Sequence, residues 1–385
     1  MKALIVGGGI AGPVAAMALQ RVGIEPVVFE AHPRAADGVG AFLTVAVNGL
    51  QALRTLGIEP SSLPGFATPR FAMHLGDGRP IAELANGPVL PDGTVSLTLE
   101  RAGLYAALRD EAVRRGVRFA YGKRLDRVEG EVTAWFTDGT CEPGDLLIGA
   151  DGLKSTVRSL IDPRAPKAEF IGLLNCGGYA KGLSLPGPPG LFHMIFGRRC
   201  FFGWVKAPDG QVWWFANPGR RVEPDAAELA GTDWRSELLE LFRGDQTPAV
   251  EIIEKSHVVT GGWASYDLRR VPVWRRGRMV IIGDAAHAAS PSSGQGASMA
   301  IEDAVVLARS LQSRPSVEEA FADYEQRRRA RVERVVAHGR RNGSGKAPGP
   351  VGRALRDLML PMVFRWLHKN GAEQQRWIYE YRVAA

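Results

Sequence analysis

Six residues constrain this chain more than any others: Gly7-Gly8-Gly9-Ile10-Ala11-Gly12, a G-x-G-x-x-G run set between two apolar segments. Before it, Ala3-Leu4-Ile5-Val6 has the unbroken apolar character of a parallel strand covered on both faces. After it, the alanine-rich stretch Pro13 to Val22 carries Val14, Met17, Ala18 and Val22 at helical spacing, and Gly23 stands where such a helix stops. A second apolar run, Pro26-Val27-Val28-Phe29, ends in Glu30. Strand, tight turn, helix, strand, acid is the order of a dinucleotide-binding unit. Gly7 and Gly9 let the backbone turn and approach a pyrophosphate, and Gly12 lets helix and strand pack closely. Ile10 and Ala11 sit where the helix N-terminus offers free N–H groups to phosphate oxygens. Glu30 suits a ribose 2′-hydroxyl and would repel a 2′-phosphate, which argues against NADP at this unit.

The rest of the composition is that of a globular chain. Its 385 residues suggest two to three domains, with 45% hydrophobic and 23% charged residues. Glycine is abundant, 46 residues, without a collagen period. Cys141, Cys176 and Cys200 make neither a disulfide framework nor a C-x-x-C metal site, so no metal is expected and a reducing, cytoplasmic setting is. No apolar run reaches transmembrane length, and the glycines at 7–9 break what would otherwise resemble a signal peptide. The formal charge is +7, and residues 327–346 alone hold seven arginines, one lysine and one glutamate. The basicity therefore belongs to one late helix and loop. No nucleic-acid motif accompanies it.

Two later segments repeat the strand-then-acid pattern. Leu146-Leu147-Ile148-Gly149-Ala150 runs into Asp151-Gly152-Leu153-Lys154-Ser155-Thr156-Val157-Arg158, and Met279-Val280-Ile281-Ile282 runs into Gly283-Asp284-Ala285-Ala286-His287. In an open parallel sheet, ligands lie beyond the carboxyl ends of the strands, where these acids fall. Pro291-Ser292-Ser293-Gly294-Gln295-Gly296 then leads into a helix with a buried stripe at Ala297, Ala300, Ile301, Ala304, Ala308 and Leu311.

Together these segments resemble the FAD-dependent monooxygenases of the p-hydroxybenzoate hydroxylase type, the single-component aromatic hydroxylases. The glycine fingerprint, D-G-x-x-S-x-x-R at 151–158, and G-D-A-A-H with P-x-x-G-Q-G at 283–296 fall in the family's order over roughly residues 1–345. Ser298 departs from the asparagine that many members carry. The resemblance implies that FAD is held by Gly7, Gly9, Ile10, Ala11, Gly12, Glu30, Arg101, Asp151, Arg158, Gly283, Asp284, Pro291, Gly294, Gln295, Gly296 and Ala297. It implies NADPH or NADH as a transient cosubstrate and O2 as oxidant, with one oxygen atom reaching an aromatic or polycyclic substrate through a flavin C4a-hydroperoxide. No second complete fingerprint exists, in keeping with a cosubstrate lacking its own domain. Baeyer–Villiger oxidation, epoxidation and dehydrogenation on the same fold, and a non-catalytic FAD or small-molecule binder, stand as alternatives. The W-x-W-x-I-P pattern of flavin halogenases is absent.

The expected fold class is α/β: a Rossmann-like FAD-binding domain with a parallel sheet (1–70, 99–168 and 271–345), an inserted antiparallel substrate domain (71–98 and 169–270), and a C-terminal helical segment (346–385). Short β-rich runs at 191–196, 200–205 and 212–216, separated by turn signals, carry the insertion. Their aromatics should line a flat pocket, with Trp204, Trp213 and His193 as the expected substrate contacts. His193 and Pro291 are the catalytic candidates, and the catalytic base is otherwise unknown. His287 lies inside a cofactor motif and is discounted as a base. Residues 317–341 should form a helix and 342–346 a flexible break. The segment 353–380, with Leu355, Leu358, Met359, Met362, Val363 and Trp366, is expected to dock on the FAD domain, with a membrane surface as the alternative. A monomer or homodimer is expected.

Overall fold

The structure, a computed structural model, describes residues 1–33, 42–346 and 349–383. The chain opens with β1 (Lys2–Val6), α1 (Ala11–Gln20) and β2 (Glu25–Glu30). There follow β3 (Phe42–Val45), α2 (Val47–Arg54), β4 (Gly65–Ala67), β5 (Arg70–Leu75), β6 (Pro80–Ala85), β7 (Leu97–Glu100) and α3 (Arg101–Arg114). Next come β8 (Arg118–Tyr121), a small meander of β9 (Leu125–Glu129), β10 (Thr133–Phe136) and β11 (Cys141–Pro143), then β12 (Leu146–Gly149) and α4 (Thr156–Ile161). The middle supplies β13 (Glu169–Ala180), β14 (Leu191–Phe196), β15 (Phe201–Lys206), β16 (Val212–Asn217), α5 (Ala226–Gly231), α6 (Trp234–Phe242), α7 (Ala249–Glu254) and β17 (Ser256–Asp267). The chain returns through β18 (Arg275–Arg276), β19 (Met279–Ile281), α8 (Asp284–His287), α9 (Gly296–Ser313), α10 (Val317–Ser344) and α11 (Pro350–Tyr379).

The first sheet runs β18-β19-β12-β1-β2-β8 and is parallel except where β18 meets β19. β1 lies between β12 and β2, with Ile5 opposite Ile148 and Val28, all fully buried. Its apolar strands explain themselves: helices cover both faces, so alternation is not needed. α1 packs on α3 and α9, and α9 packs in turn on α2 and α10. The strand ends that carry Asp151 and Asp284 therefore fall beside the glycine turn after β1.

The second sheet runs β17-β13-β16-β15-β14-β5-β6, antiparallel except for the β14–β5 pair. Residues of 70–85 thus join an insertion built mainly from 169–267. Both faces are aromatic. The outer face packs Phe202, Trp204 and Trp214 under α6 and α7, through Trp234, Leu238, Phe242 and Ile252. The inner face presents Phe192, Met194, Phe196, Phe201 and Phe215.

Two expectations about the tail are corrected. Helix α10 continues through Ser344 and is capped at Gly345, so 342–344 are helical. Helix α11 packs on β6 through Phe364 and Leu360, Val363 borders the cleft, and Leu355, Leu358, Met359, Met362 and Trp366 are exposed. The apolar stripe read as the docking face is the opposite one. Among the described residues, no helix is long and apolar enough to cross a membrane.

Candidate active site

One cleft of about 1760 Å³ runs from the glycine turn after β1 to the inner face of the second sheet. Small-ligand pockets occupy about 300–1,000 Å³, so this cleft has room for a dinucleotide and a second molecule.

At the nucleotide end the glycines divide their tasks. A Cβ on Gly12 would stand 1.9 Å from the Gly7 carbonyl oxygen, and one on Gly7 would stand 2.3 Å from the Ala150 oxygen. These two positions permit close packing of turn, helix and neighbouring strand. At Gly9 the nearest atom would be Tyr105 Oη at 3.9 Å, and nothing lies within 4 Å at Gly294 or Gly296. There the backbone faces open space that a ligand can enter. Glu30 is aimed by two backbone donors, Gly8 N–H at 2.8 Å and His32 N–H at 2.9 Å. Arg101, at the first turn of α3, donates from Nε to Tyr105 Oη at 2.9 Å. Asp284 is exposed into the cleft at the start of α8.

Of the residues expected to hold the cofactor, Gly7, Gly9, Ile10, Ala11, Glu30, Arg101, Asp151, Asp284, Pro291, Gly294, Gln295, Gly296 and Ala297 line this cleft. Gly12 and Gly283 lie behind it. Gly283 has φ +59° and donates its N–H to Asp303 Oδ2 at 2.9 Å. Asp151 is largely committed to its own helix: Oδ1 accepts from Ser155 Oγ at 2.5 Å and Oδ2 from Val157 N–H at 3.0 Å. Burial pushes its carboxyl up, against those hydrogen bonds. Arg158 does not reach the cleft. Its guanidinium donates to the carbonyls of Ala285 and Leu153 at 2.9 and 2.7 Å, so its action is to tie α4 to the α8 turn.

The structure places the three expected substrate contacts outside the lining of this cleft. Trp204 and His193 are opposite each other in register and stack at 4.0 Å, but on the outer face of the sheet. Burial, with His74 and Lys206 nearby, lowers His193 to about 4, and His193 does not line the cleft. Trp213 is on the inner face but packs against Phe42, Phe66 and Tyr179 without lining the cleft. The chamber wall is instead Phe42, Phe71, Phe192, Met194, Phe201 and Phe215. Asn175, Asn217 and Lys346 add polar groups that sequence reasoning missed. Strand alternation pairs Trp204 with Trp214 and sets them apart from Phe215; a register argument finds the two faces but not which face meets the cofactor.

Beneath the start of α9 lies a buried ionic network. Arg328 donates to Glu302 and Asp303, each at 2.7 Å, and Arg331 to both oxygens of Glu302 at 2.8 and 2.9 Å. Asn48 bridges Glu302 and Gln295 at 2.7 and 2.9 Å. His287 donates to Asp303 at 2.5 Å and is not a cleft residue. Burial opposes the charge on Asp303, but His287 and Arg328 outweigh it and hold the carboxyl at about 2. The network thus fixes the Gly283 turn and the Gln295-Gly296 start of α9 relative to each other.

The family model for the FAD binding domain matches residues 1–338. The chain belongs to the FAD-dependent aromatic monooxygenases of the p-hydroxybenzoate hydroxylase type. A FAD-dependent urate hydroxylase of Klebsiella pneumoniae is 30% identical over 349 residues, covering 89% of each chain. The 6-hydroxynicotinate 3-monooxygenase of Pseudomonas fluorescens is 32% identical over 352 residues, 86% of this chain and 88% of that one. The solved structure of Klebsiella pneumoniae HpxO complexed with FAD and uric acid superposes with a TM-score of 0.84 at 26% identity, covering 97% and 95% of the two chains. The open cradle at Gly9, Gly294 and Gly296 and the Glu30 carboxylate, aimed by the Gly8 and His32 N–H groups, fit the FAD of this monooxygenase family.

Proposed function

We propose that this protein is an NAD(P)H-dependent monooxygenase that inserts one oxygen atom from O2 into an aromatic or polycyclic substrate held against Phe192, Met194, Phe201 and Phe215. The observation that carries this reading is continuity: the nucleotide cradle and the aromatic chamber share one cleft. Bound FAD supplies the redox chemistry and the activation of oxygen. The chain supplies position, charge and dryness. The free N–H groups at the start of α1 and Arg101 would hold the pyrophosphate of FAD, and Glu30 would bond its adenosine ribose. Asp284 would hold the part that links the two halves of the cofactor. The N–H groups opening the 18-residue helix α9 would stabilise negative charge that develops on the reduced flavin. The apolar wall excludes water, so that activated oxygen reaches the ring and is not lost as hydrogen peroxide.

The test is a screen of phenolic, heteroaromatic and polycyclic compounds on the FAD-loaded protein. A substrate should accelerate NADH or NADPH oxidation and gain one oxygen atom by mass. Oxidation that no compound accelerates, or products that only lose hydrogen, would sink this reading.

A further inference from the structure

Lys346 is a buried cation for which the scheme above has no use. It follows Gly345, the C-cap of α10, is 9% exposed, and sends its side chain into the aromatic chamber. Nζ donates to Asn217 Oδ1 at 2.7 Å and stands 4.4 Å from the ring centre of Phe201 and 5.5 Å from that of Phe215. Asn217 Nδ2 donates to Asn175 Oδ1 at 2.8 Å, and Asn175 Nδ2 donates to Ser265 Oγ at 2.6 Å. This chain of amides fixes the Asn217 oxygen toward the lysine. Among the described residues no carboxylate pairs with Lys346.

The contrast with Arg328 is informative. That guanidinium is also buried, yet two carboxylates neutralise it. Lys346 has one amide oxygen and two ring faces for an ammonium with three donors. A buried charge without a counter-ion is costly, and burial lowers Lys346 to about 7, with the nearby Cys200 acting slightly the other way. An anionic ligand in the chamber would remove that cost. The other charged or titratable groups around it are Arg341 and His338 from α10, Arg356 from α11, Cys176 from β13 and Cys200 before β15. Arg356 is committed to the carbonyls of Phe196 and Gly197, and burial pushes both thiols up, Cys176 to about 12. Burial lowers His338 below its ordinary value.

We propose that Lys346 is the anion-recognition residue of the chamber, seating an oxyanion carried directly on an aromatic ring, as a carboxylate or a phenolate. This rests on reading the chamber as the substrate pocket. A phenol reaches the same state by giving its proton to the neutral amine: the O–H bond breaks, an N–H bond forms, and a phenolate–ammonium pair remains. A phenolate ring is richer in electrons than a phenol, which favours attack by an electrophilic oxygen. Asn217 then orients the ammonium, and Phe201 and Phe215 flank the ring that enters.

Two ring-matched pairs test this on FAD-loaded protein: benzoate against benzamide, and phenol against anisole, with affinities read from the change in flavin absorption. The wild type should prefer the anion-forming member of each pair. Lys346→Met should lose at least about tenfold of that preference, with benzamide and anisole affinities and flavin content retained. Benzoate stays ionised across neutrality, so its affinity should fall as pH rises through about 7; Lys346→Arg should keep the preference and flatten that fall. If Lys346 only pins its loop to the sheet, Lys346→Met changes stability and leaves the preference in place, which overturns the proposal. Equal affinity within each pair, or no binding by any of the four, overturns it as well. Lysine-dependent anion binding without stimulated NAD(P)H oxidation would instead defeat the oxygenase reading and leave this one standing.

Discussion

Trp204 and Phe215 sit on adjacent strands and serve different volumes. Trp204→Ala should empty a packed site under α6 and destabilise the protein by about 3–5 kcal/mol, with ligand affinity retained; urea unfolding and ligand titration separate the two effects. Phe215→Ala should do the reverse, since Phe215 borders the chamber. Asp284→Ala should weaken FAD by about one to two powers of ten, the worth of a charge-assisted hydrogen bond, and full occupancy after ultrafiltration would contradict its proposed role. Asp303 carries a pH signature. Its folded pKa, about 2, lies below its ordinary 3.8, so the stability it gives is present above pH 4 and is lost as pH falls through 2. What the sequence revealed at this scale was local. The spacing of Gly7, Gly9 and Glu30 carries its own geometry, because turn, helix and returning strand follow one another without interruption in the chain. That His193, Trp204 and Trp213 lie off the cleft was not legible, because alternation sorts residues into two faces, both faces here are aromatic, and Trp213 on the inner face is covered by Phe42 and Phe66.

Helices α9 and α10 are joined by charge as well as by apolar packing. The arginine crowd at 327–334 looks in sequence like a basic surface, yet Arg328 is fully buried and Arg331 nearly so. Its acidic partners, Glu302 and Asp303, lie about 25 positions earlier, beyond any helical spacing rule, so the pairing was not legible. Arg328→Met should cost about 3–5 kcal/mol, the usual result of stranding buried charge. It should also loosen FAD, because the same Asp303 holds the Gly283 turn. A variant of unchanged stability by denaturant titration would show that the network is not a brace. Helix α11 teaches the converse. Its apolar periodicity announced a helix, but the interface is made by Leu360 and Phe364, and Leu355, Leu358, Met359, Met362 and Trp366 are exposed. Periodicity says that a face exists and not which body receives it.

At the scale of the molecule, the two sheets meet around one cleft, so ligand binding and global stability are coupled. FAD at a hundred times its dissociation constant should add about 2.7 kcal/mol to unfolding, and the melting temperature should rise with FAD concentration. A melting temperature independent of FAD would mean that the folded state has no preference for it. Val6 and Tyr379 border the same cleft, as do Lys346 and Phe364. A molecule bound there touches segments more than 300 positions apart in the sequence, so it acts as a clasp: pulling either segment away from the cleft must first give up contacts to the ligand.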